Sequence, residues 1–218
     1  MKKLVATIFT ILFLTSSANS FERPTVTIGL SGLTGAWAAT GNQREYSETG
    51  TSPVTTKEYG AFTADYATVM LELGLNDSIS LGVEYALGDI DTPENRNESS
   101  GATPTSRVSG TIKDYTTVYT LIRIPLGGLY TKLGVSHMDV YSNENQLSGN
   151  AYGNDKSTGY VIGLGYEVQT PAGVGIRAEL NAANFDSVEF DNGNTNKNTV
   201  NIDDMIGATA RIALVKSF

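Results

Sequence analysis

The sequence contains no cysteine among its 218 residues, so neither a disulfide framework nor thiol chemistry is available to the chain. A lipid-anchored lipoprotein also needs a cysteine after its leader, and this chain has none. Basic residues are in the minority, with 15 lysines and arginines against 23 aspartates and glutamates, and the formal net charge is −8. Such an acidic chain lacks the basic footprint of a nucleic-acid-binding protein.

Long hydrophobic runs are also scarce. The apolar run Leu4–Leu14 has eleven residues, fewer than the roughly 20 that a transmembrane helix needs. Two lysines precede this run, and Ala18 and Ser20 follow it at the spacing of a signal-peptidase site. These features predict a cleaved secretory signal peptide over residues 1–20 and one mature domain over residues 21–218. No later segment is long enough for a helical span, so a span would have to be a closed β-barrel.

The mature chain shows period-two alternation of apolar and polar residues, and almost no helical periodicity. Eight segments carry this pattern and are predicted to be strands. Their apolar faces are, in chain order, Val26/Ile28/Leu30, Val69/Leu71/Leu73, Ile79/Leu81/Val83/Tyr85/Leu87, Val118/Thr120/Ile122/Ile124, Leu129/Thr131/Leu133/Val135, Tyr160/Ile162/Leu164/Tyr166/Val168, Val174/Ile176/Ala178/Leu180 and Ile206/Ala208/Ala210/Ile212/Leu214/Phe218.

The connections between these strands alternate in length. Tight turns are predicted near Asn76, Gly127 and Ala172. Long polar loops are predicted at residues 39–58, 89–112, 142–157 and 185–199. Short periplasmic turns and long external loops are typical of outer-membrane barrels. We therefore predict an all-β fold, an eight-stranded antiparallel up-and-down transmembrane β-barrel.

The opposite face of the strands separates a membrane barrel from a soluble one. It carries glycines where a solvent-facing strand would favour threonine, lysine or glutamate, because a strand glycine packs nothing. Between the glycines lie four acids and four bases: Glu72, Glu84, Arg123, Lys132, Glu167, Arg177, Glu179 and Arg211. An eight-stranded barrel is just wide enough for side chains to fill. We expect these eight residues to form an internal salt-bridge network that plugs the lumen.

Counting from the turns predicts particular neighbours in this network. Arg123 and Lys132 are expected side by side across the turn near Gly127, and each then needs an acid from its other flank, with Glu84 and Glu167 available. Arg177 is expected opposite Glu167 across the third turn. The alternative is that some of these charges lie at the wet periplasmic mouth and pair with nothing.

These residues resemble the small outer-membrane β-barrel family that includes the OmpA transmembrane domain, OmpX and the opacity-type adhesins. The most specific part is the last strand, in which Gly207, Ile212, Leu214 and Phe218 look like the signal read by the barrel-assembly machinery. Lys216 departs from that pattern, although a lysine at the membrane edge can snorkel. The resemblance implies contact with the assembly machinery and with outer-membrane lipid and lipopolysaccharide, and a location in the cell outer membrane of a Gram-negative envelope.

Two sets of residues could carry chemistry. His137 has Ser136 directly before it and Asp139 two residues after it. In a lipid A deacylase of this architecture, the serine instead follows the histidine by two residues, so the match is weak. Acidic and amide side chains in the fourth loop could hold a divalent ion, but they do not have EF-hand spacing; they are Asp186, Glu189, Asp191, Asn192 and Asn194. We therefore predict no catalytic residue, no metal site and no cofactor.

Aromatic residues near the strand ends are predicted to form interfacial girdles, as they do in outer-membrane barrels. They are Tyr85, Tyr115, Tyr160, Tyr166 and Phe218, with Trp37 and Tyr46 at or in the first loop. The favoured function is a structural or surface-interaction barrel whose loops meet an external partner. A small-solute, porin-like channel and a lipid A-modifying enzyme are the alternatives.

Overall fold

A computed structural model describes residues 24–45, 53–97, 106–145, 152–192 and 198–218, and these residues form eleven antiparallel strands. The predicted signal peptide and Tyr46 lie outside the described residues. The strands are β1 Thr25–Glu45, β2 Val54–Gly74, β3 Ile79–Ala86, β4 Ile90–Asp91, β5 Asn95–Asn97, β6 Ser106–Arg123, β7 Leu129–Asn145, β8 Asn154–Gln169, β9 Val174–Phe185, β10 Val188–Asp191 and β11 Thr199–Ser217. The described residues include no helix that is long and apolar enough to cross a membrane.

Eight of these strands close into a ring in the order β1-β2-β3-β6-β7-β8-β9-β11, and β11 pairs with β1. Following opposite residues once around the ring from Gly29 leads to Met205, which faces β1 just beyond Ala38. The ladder has then advanced by about ten residues, the kind of stagger that a tilted, closed barrel requires. The predicted eight-stranded up-and-down barrel is confirmed.

The three tight turns lie at one end of the barrel, which we call the turn end. In the first turn, the Asn76 side-chain oxygen accepts hydrogen bonds from the backbone amides of Ser78 and Ile79, both at 2.9 Å. In the third, Gly173 has φ +77°, a left-handed conformation that glycine adopts without the steric cost of a Cβ. Local side-chain and glycine chemistry therefore sets these turns.

The opposite, loop end differs from the prediction, because strands continue through much of the expected loops. The ladder of β1 with β2 extends without interruption to Glu45 and Val54, inside the predicted loop 39–58. β4 and β5 pair with β6, and β10 pairs with β11. These outer segments were missed because beyond the apolar band neither face need be apolar, so the alternating signal disappears.

The two faces of the wall have opposite characters. Side chains that point outward from the middle of the strands are large and apolar, and they are exposed; examples are Leu30, Ile162, Ile176 and Leu214. Most side chains that point inward are buried, whether they are polar or apolar. An apolar exterior around a filled interior matches the lipid-facing band of an outer-membrane barrel.

Two bulges adjust which residues face inward near the loop end. β6 contains one extra residue opposite β7 between Lys113 and Thr116, and Asp114 there has φ 51°. β11 is irregular opposite Ala38–Thr40 of β1, and Asp204 has φ 52°. The first bulge reverses the alternation, so Ile112 is buried inside while Lys113 forms an ion pair with Asp89.

Candidate functional site

The eight charged residues singled out from the sequence all lie on the inner face of the barrel, and every one forms an ion pair. They divide into two groups of two acids and two bases, each with no net charge. We call them the lower layer, nearer the turn end (Glu72, Glu167, Arg123 and Arg177), and the upper layer (Glu84, Glu179, Lys132 and Arg211).

The lower layer centres on Arg177, which is 0 % exposed. Its Nη1 and Nη2 donate to the two carboxylate oxygens of Glu72 at 2.5 and 2.8 Å, the two-pronged geometry that fits guanidinium to carboxylate. Its Nε donates to Glu167 at 3.0 Å. Arg123 is the outermost member, one-third exposed, and its Nη2 lies 3.9 Å from Glu167. One guanidinium thus links two acids on different sides of the lumen.

The upper layer has the same composition in a more enclosed setting. Arg211 donates from Nη1 to Glu84 at 2.5 Å and from Nη2 to Glu179 at 2.6 Å. Lys132 donates to Glu84 at 2.7 Å and reaches Glu179 at 3.4 Å. Each base therefore contacts both acids. Because an unpaired buried charge costs several kcal/mol, this reciprocal pairing is what allows four charges to share a buried interior.

Hydroxyl groups complete both layers, and these partners were missed from the sequence. Tyr119 donates to Glu72 at 2.7 Å and Tyr130 donates to Glu179 at 2.9 Å. The Lys132 ammonium also lies 4.4 Å from the centre of the Tyr119 ring, within range of a cation–π contact. Both tyrosines share the strand parity of the predicted charges, so parity was the signal that could have identified them.

Inward-facing glycines make room for these tyrosine rings. Gly82 is the ladder partner of Tyr119, and Gly165 is the ladder partner of Tyr130. A Cβ at either glycine would overlap the opposing ring. These two lumen glycines therefore accommodate larger neighbours, and the neighbour is a tyrosine in both cases.

One predicted pair is wrong. Arg123 is opposite Tyr130, and Lys132 is opposite Leu121, so Arg123 and Lys132 are not side by side. The turn is closed by a hydrogen bond from the Ile124 amide to the Leu129 carbonyl at 2.8 Å. Its centre therefore lies midway between Leu126 and Gly127, whereas Arg123 opposite Lys132 would need a centre between Gly127 and Gly128. The two bases therefore fall into different layers and do not repel each other at close range. Arg177 does lie opposite Glu167.

Above the upper layer, the lumen is filled by an aromatic cluster. Trp37 stacks on Phe62 and meets Tyr115 edge-on, with ring centroids 6.4 and 6.0 Å apart, and Phe185 packs against both Trp37 and Tyr115. Trp37 and Tyr115 were expected at the membrane interface or in a loop, and this is corrected: both point into the barrel. On the outward face, Tyr85, Tyr160, Tyr166 and Phe218 are exposed.

A small cavity separates the aromatic cluster from the upper layer. Its volume is about 20 Å³, room for about one water molecule, and its lining includes Trp37, Glu84, Lys132 and Asn181. The Trp37 Nε1 and the Asn181 Oδ1 have no hydrogen-bond partner among the described residues. The space is confined to this level of the lumen and does not amount to a solute-sized passage.

His137 lies on the outward face, at the loop-end boundary of the apolar band. Its Nδ1 is 3.3 Å from the Thr158 hydroxyl and its Nε2 is 3.3 Å from Asp139. Lys156 donates to both oxygens of Asp139, and this hydrogen bonding raises the pKa of Lys156 above its ordinary value. Ser136 points to the other side of the strand, where its hydroxyl is bonded to Thr117 inside the barrel at 2.7 Å.

The acidic residues of the predicted fourth loop are only partly within the described chain. The Glu189 backbone amide donates to Asp155 at 3.0 Å, and Asp191 belongs to β10. Asn194 lies outside the described residues. Over the ranges that the structure describes, no group of three or more histidine, aspartate or glutamate side chains is placed to hold a metal ion.

β11, the strand that closes the ring, contains three of the predicted assembly-signal residues, and the fourth, Phe218, directly follows it. Ile212, Leu214 and Phe218 point outward and are exposed, while Gly207 faces the lumen against the Trp37 ring. The Phe218 amide donates to the Val26 carbonyl at 2.9 Å, so the chain end is bonded to the first strand. Lys216 donates to the Ala172 carbonyl.

Comparison with known proteins gives structural likeness only, since neither a model of a known family nor a curated protein matches the chain. The outer membrane protein OprG from Pseudomonas aeruginosa is 10% identical and superposes with a TM-score of 0.51, covering 91% of this chain and 98% of that one. This likeness decides the fold class. The chain is a small outer-membrane-type β-barrel.

Two further solved structures are similar in fold. Ail, the attachment invasion locus protein of Yersinia pestis, was solved in complex with the heparin analogue sucrose octasulfate. It is 12% identical to this chain and gives a TM-score of 0.41, and the match covers 87% of this chain and 99% of Ail. The outer membrane protease OmpT from Escherichia coli is 10% identical and gives a TM-score of 0.48, and the match covers 94% of this chain and 100% of OmpT.

Proposed function

We propose that this protein is a non-conducting outer-membrane barrel that acts through its external end. The observation that carries the proposal is the continuous filling of the lumen. From the turn end upward, the inner face presents the lower layer, the upper layer and then the aromatic cluster. The cavity between the upper layer and the aromatic cluster has room for about one water molecule. Among the described residues, none of these three levels of the lumen leaves a wide polar path for an ion.

The outer-membrane location rests on the fold and on the apolar exterior. The outward residues of the strand middles are large, apolar and exposed, and would cost free energy if they faced water. The three tight turns would face the periplasm, because short turns occupy that side in outer-membrane barrels. The long strands at the loop end would then project outside the cell, where a partner can reach them.

A small-solute channel is the second candidate, and Arg123 is the observation that favours it. This residue is one-third exposed at the turn end, so the lower layer is open to water from that side. For conduction to follow, however, the pairs joining Arg211 and Lys132 to their acids would have to separate. Pairs this enclosed resist separation because each released charge would be left without a partner.

We propose no enzymatic role for His137. Both oxygens of Asp139 accept from Lys156, which leaves that carboxylate neutralised beside the imidazole. The serine next in the chain faces the lumen and is bonded to Thr117. We propose no cofactor. We also propose no nucleic-acid partner, because the composition of the chain is acidic.

Solute flux tests the proposed function. Purified barrel is reconstituted into liposomes loaded with a large polymer, and swelling is followed after addition of arabinose, with protein-free liposomes and a general porin as the two references. We expect liposomes that contain the barrel to swell no faster than protein-free liposomes, at every protein-to-lipid ratio. A rate that rises in proportion to the reconstituted barrel would overturn the proposal in favour of the channel.

A further inference from the structure

A groove opens on the outward face of the wall, toward the loop end, where β2, β1 and β11 lie side by side. Its volume is about 350 Å³, which falls in the range of about 300–1,000 Å³ that is usual for small-molecule sites. Thr40 of β1 is the ladder partner of Tyr59 in β2 and of Asp203 in β11. The bulge in β11 adds Asp204 to the lining. We call this space the wall groove.

The floor of the wall groove is made of small side chains. Ala38 and Ala61 are ladder partners there, and neither side chain extends beyond its Cβ. Larger side chains come from the strands on either side of β1: Tyr59, which is 78 % exposed, and Ile206, which is also exposed. A low floor between two large side chains is what makes this part of the wall concave.

The wall groove crosses the outer limit of the apolar band. On β11 the outward positions are apolar as far as Ile206, and Asp204 follows; on β1 the outward Ala38 is followed by Thr40. An occupant would therefore meet apolar side chains toward the membrane and polar groups toward the loop end. A membrane lipid has the same division, because its acyl chains lie in the hydrocarbon core and its headgroup lies outside it.

Thr40 is an independent sign of a polar ligand. The residue is 6 % exposed, its side chain lines the wall groove, and its hydroxyl forms no hydrogen bond within the part of the chain that the structure describes. Buried hydroxyl groups in proteins are normally hydrogen-bonded. A hydroxyl group of a ligand in the wall groove would supply the bond that Thr40 lacks.

The charges around the wall groove select an uncharged headgroup. Among the described residues of the lining, only Asp204 is ionised, and its carboxylate would repel a phosphate. The Lys57 ammonium already lies 5.4 Å from the centre of the Tyr59 ring, so it would repel a second cation there. A sugar meets both conditions, because its hydroxyl groups can donate to Asp204 and Thr40 while its C–H face packs against the Tyr59 ring.

We propose that the wall groove binds a membrane glycolipid, with a sugar ring beside Thr40, Tyr59 and Asp204 and an acyl chain along Ala38 and Ile206. The occupant is a lipid of the surrounding leaflet and not a soluble glycan, because the wall groove faces sideways and continues into the apolar band. This goes beyond the proposed function, since it concerns the lipid-facing wall and shares with that function only the outer-membrane location.

Methyl NMR in lipid nanodiscs tests this assignment. The barrel, labelled at alanine and threonine methyl groups, is placed in phosphatidylcholine nanodiscs, and digalactosyl diacylglycerol is added as the probe lipid. Phosphatidylethanolamine and the free disaccharide are the two controls. We expect the methyl signals of Ala38, Thr40 and Ala61 to shift with the glycolipid and with neither control. Ala178, outward on β9 and away from the wall groove, should not shift.

Three variants separate the hydroxyl group from the space. Thr40→Val keeps the shape of the side chain and removes its hydroxyl, and we expect it to weaken glycolipid binding by about fivefold. Ala61→Leu fills the floor and should abolish the shifts at Ala38. Ala178→Leu adds the same side chain elsewhere on the outward face, and should change binding by less than about twofold. The wild-type spectra need no variant, so the proposal stays testable if one variant does not fold.

Four outcomes would overturn this assignment. Equal shifts with the glycolipid and with phosphatidylethanolamine would show that the headgroup is not recognised. Shifts with the free disaccharide would make the ligand a soluble glycan. Shifts that appear only when two barrels share a nanodisc would assign the wall groove to a second copy. Unchanged signals with every probe would exclude binding. None of these results bears on solute flux, so failure here is distinguishable from failure of the proposed non-conducting role.

Discussion

At the scale of single residues, Glu179 has the most demanding environment in the lumen. Its carboxylate accepts from Tyr130 at 2.9 Å, from Arg211 at 2.6 Å and from Lys132 at 3.4 Å, and its side chain has no exposed surface. With Glu84 it balances the two bases of the upper layer. Removing its charge would leave that layer with one uncompensated buried cation.

We therefore expect Glu179→Gln to lower the free energy of unfolding by about 3 kcal/mol, the cost of breaking a buried pair from one side. Urea titration in lipid vesicles, followed by tryptophan fluorescence, measures this change. Glu189→Gln, at an exposed position of β10, is the control and should differ from the wild type by less than about 0.5 kcal/mol. Equal stability of the two variants would show that the charge of Glu179 makes no net contribution to the free energy of unfolding.

Gly165 gives a second prediction at this scale, based on space. Because a Cβ there would overlap the Tyr130 ring, Gly165→Ala should displace the ring and its hydrogen bond to Glu179. We expect a loss of about 1–3 kcal/mol, as for other overpacked interiors. Gly32→Ala is the matched control, since its Cβ meets nothing within 4 Å and alanine favours the folded strand. A Gly165→Ala variant as stable as Gly32→Ala would contradict this packing.

Sequence reasoning identified the eight inward charges, because alternation fixes the face of a residue. It did not identify their partners correctly throughout. The pairing of Arg123 with Lys132 was wrong because the register of a hairpin depends on how its turn closes, and the Ile124–Leu129 bond shifts that register. Tyr119 and Tyr130 were missed because a tyrosine gives no charge signal, although it carries a hydroxyl that the glutamates need.

At the scale of elements, the bulge in β6 decides which side chains enter the barrel near the loop end. The extra residue turns Ile112 inward and leaves Lys113 to bind Asp89 at 3.0 Å, an ion pair that raises the pKa of Lys113. Asp114 holds the bulge at φ 51° and accepts a hydrogen bond from Tyr85. Aspartate tolerates this left-handed conformation better than a β-branched residue does.

Comparing Asp114→Gly with Asp114→Val tests that role. Both variants lose the bond from Tyr85, so their difference isolates the backbone conformation. We expect the valine variant to be less stable than the glycine variant by about 1–2 kcal/mol in urea titration, the cost of left-handed φ for a branched residue. Indistinguishable midpoints would mean that β6 does not keep this bulge.

The element boundaries show where sequence patterns stop being informative. Inside the apolar band, strand positions followed from the alternation. Outside it, strands such as Val54–Ala61 and Asn95–Asn97 are exposed or polar, so composition resembles that of a loop. These outer segments continue the hydrogen-bonded ladders of the membrane band. Their local sequence gives no sign of that pairing.

At the scale of the whole molecule, the charges of the lumen cancel. The upper and lower layers each contain two acids and two bases, so the formal net charge of −8 comes from residues outside these two layers. Neutrality within each layer allows its charges to pack closely. The ring is closed by β1 and β11 along most of their lengths, which leaves no open seam in the membrane band.

A closed barrel of this kind should resist detergent until heated. We expect the unboiled protein to migrate faster than the boiled protein in SDS gels, because the folded ring stays compact and binds less SDS. Glu179→Gln should convert to the slow form at a lower temperature than the wild type. Identical migration of boiled and unboiled samples would count against a stable closed ring.

Single-channel recording in planar lipid bilayers tests the filled lumen most directly. The purified wild-type barrel is inserted at 1 M KCl, with insertion verified by a fluorescent label, and current is recorded over a wide voltage range. We expect a silent bilayer, since the two neutral layers and the aromatic cluster leave no continuous aqueous path. Steady, uniform openings that change in size with Glu84→Ala or Arg123→Ala would contradict it.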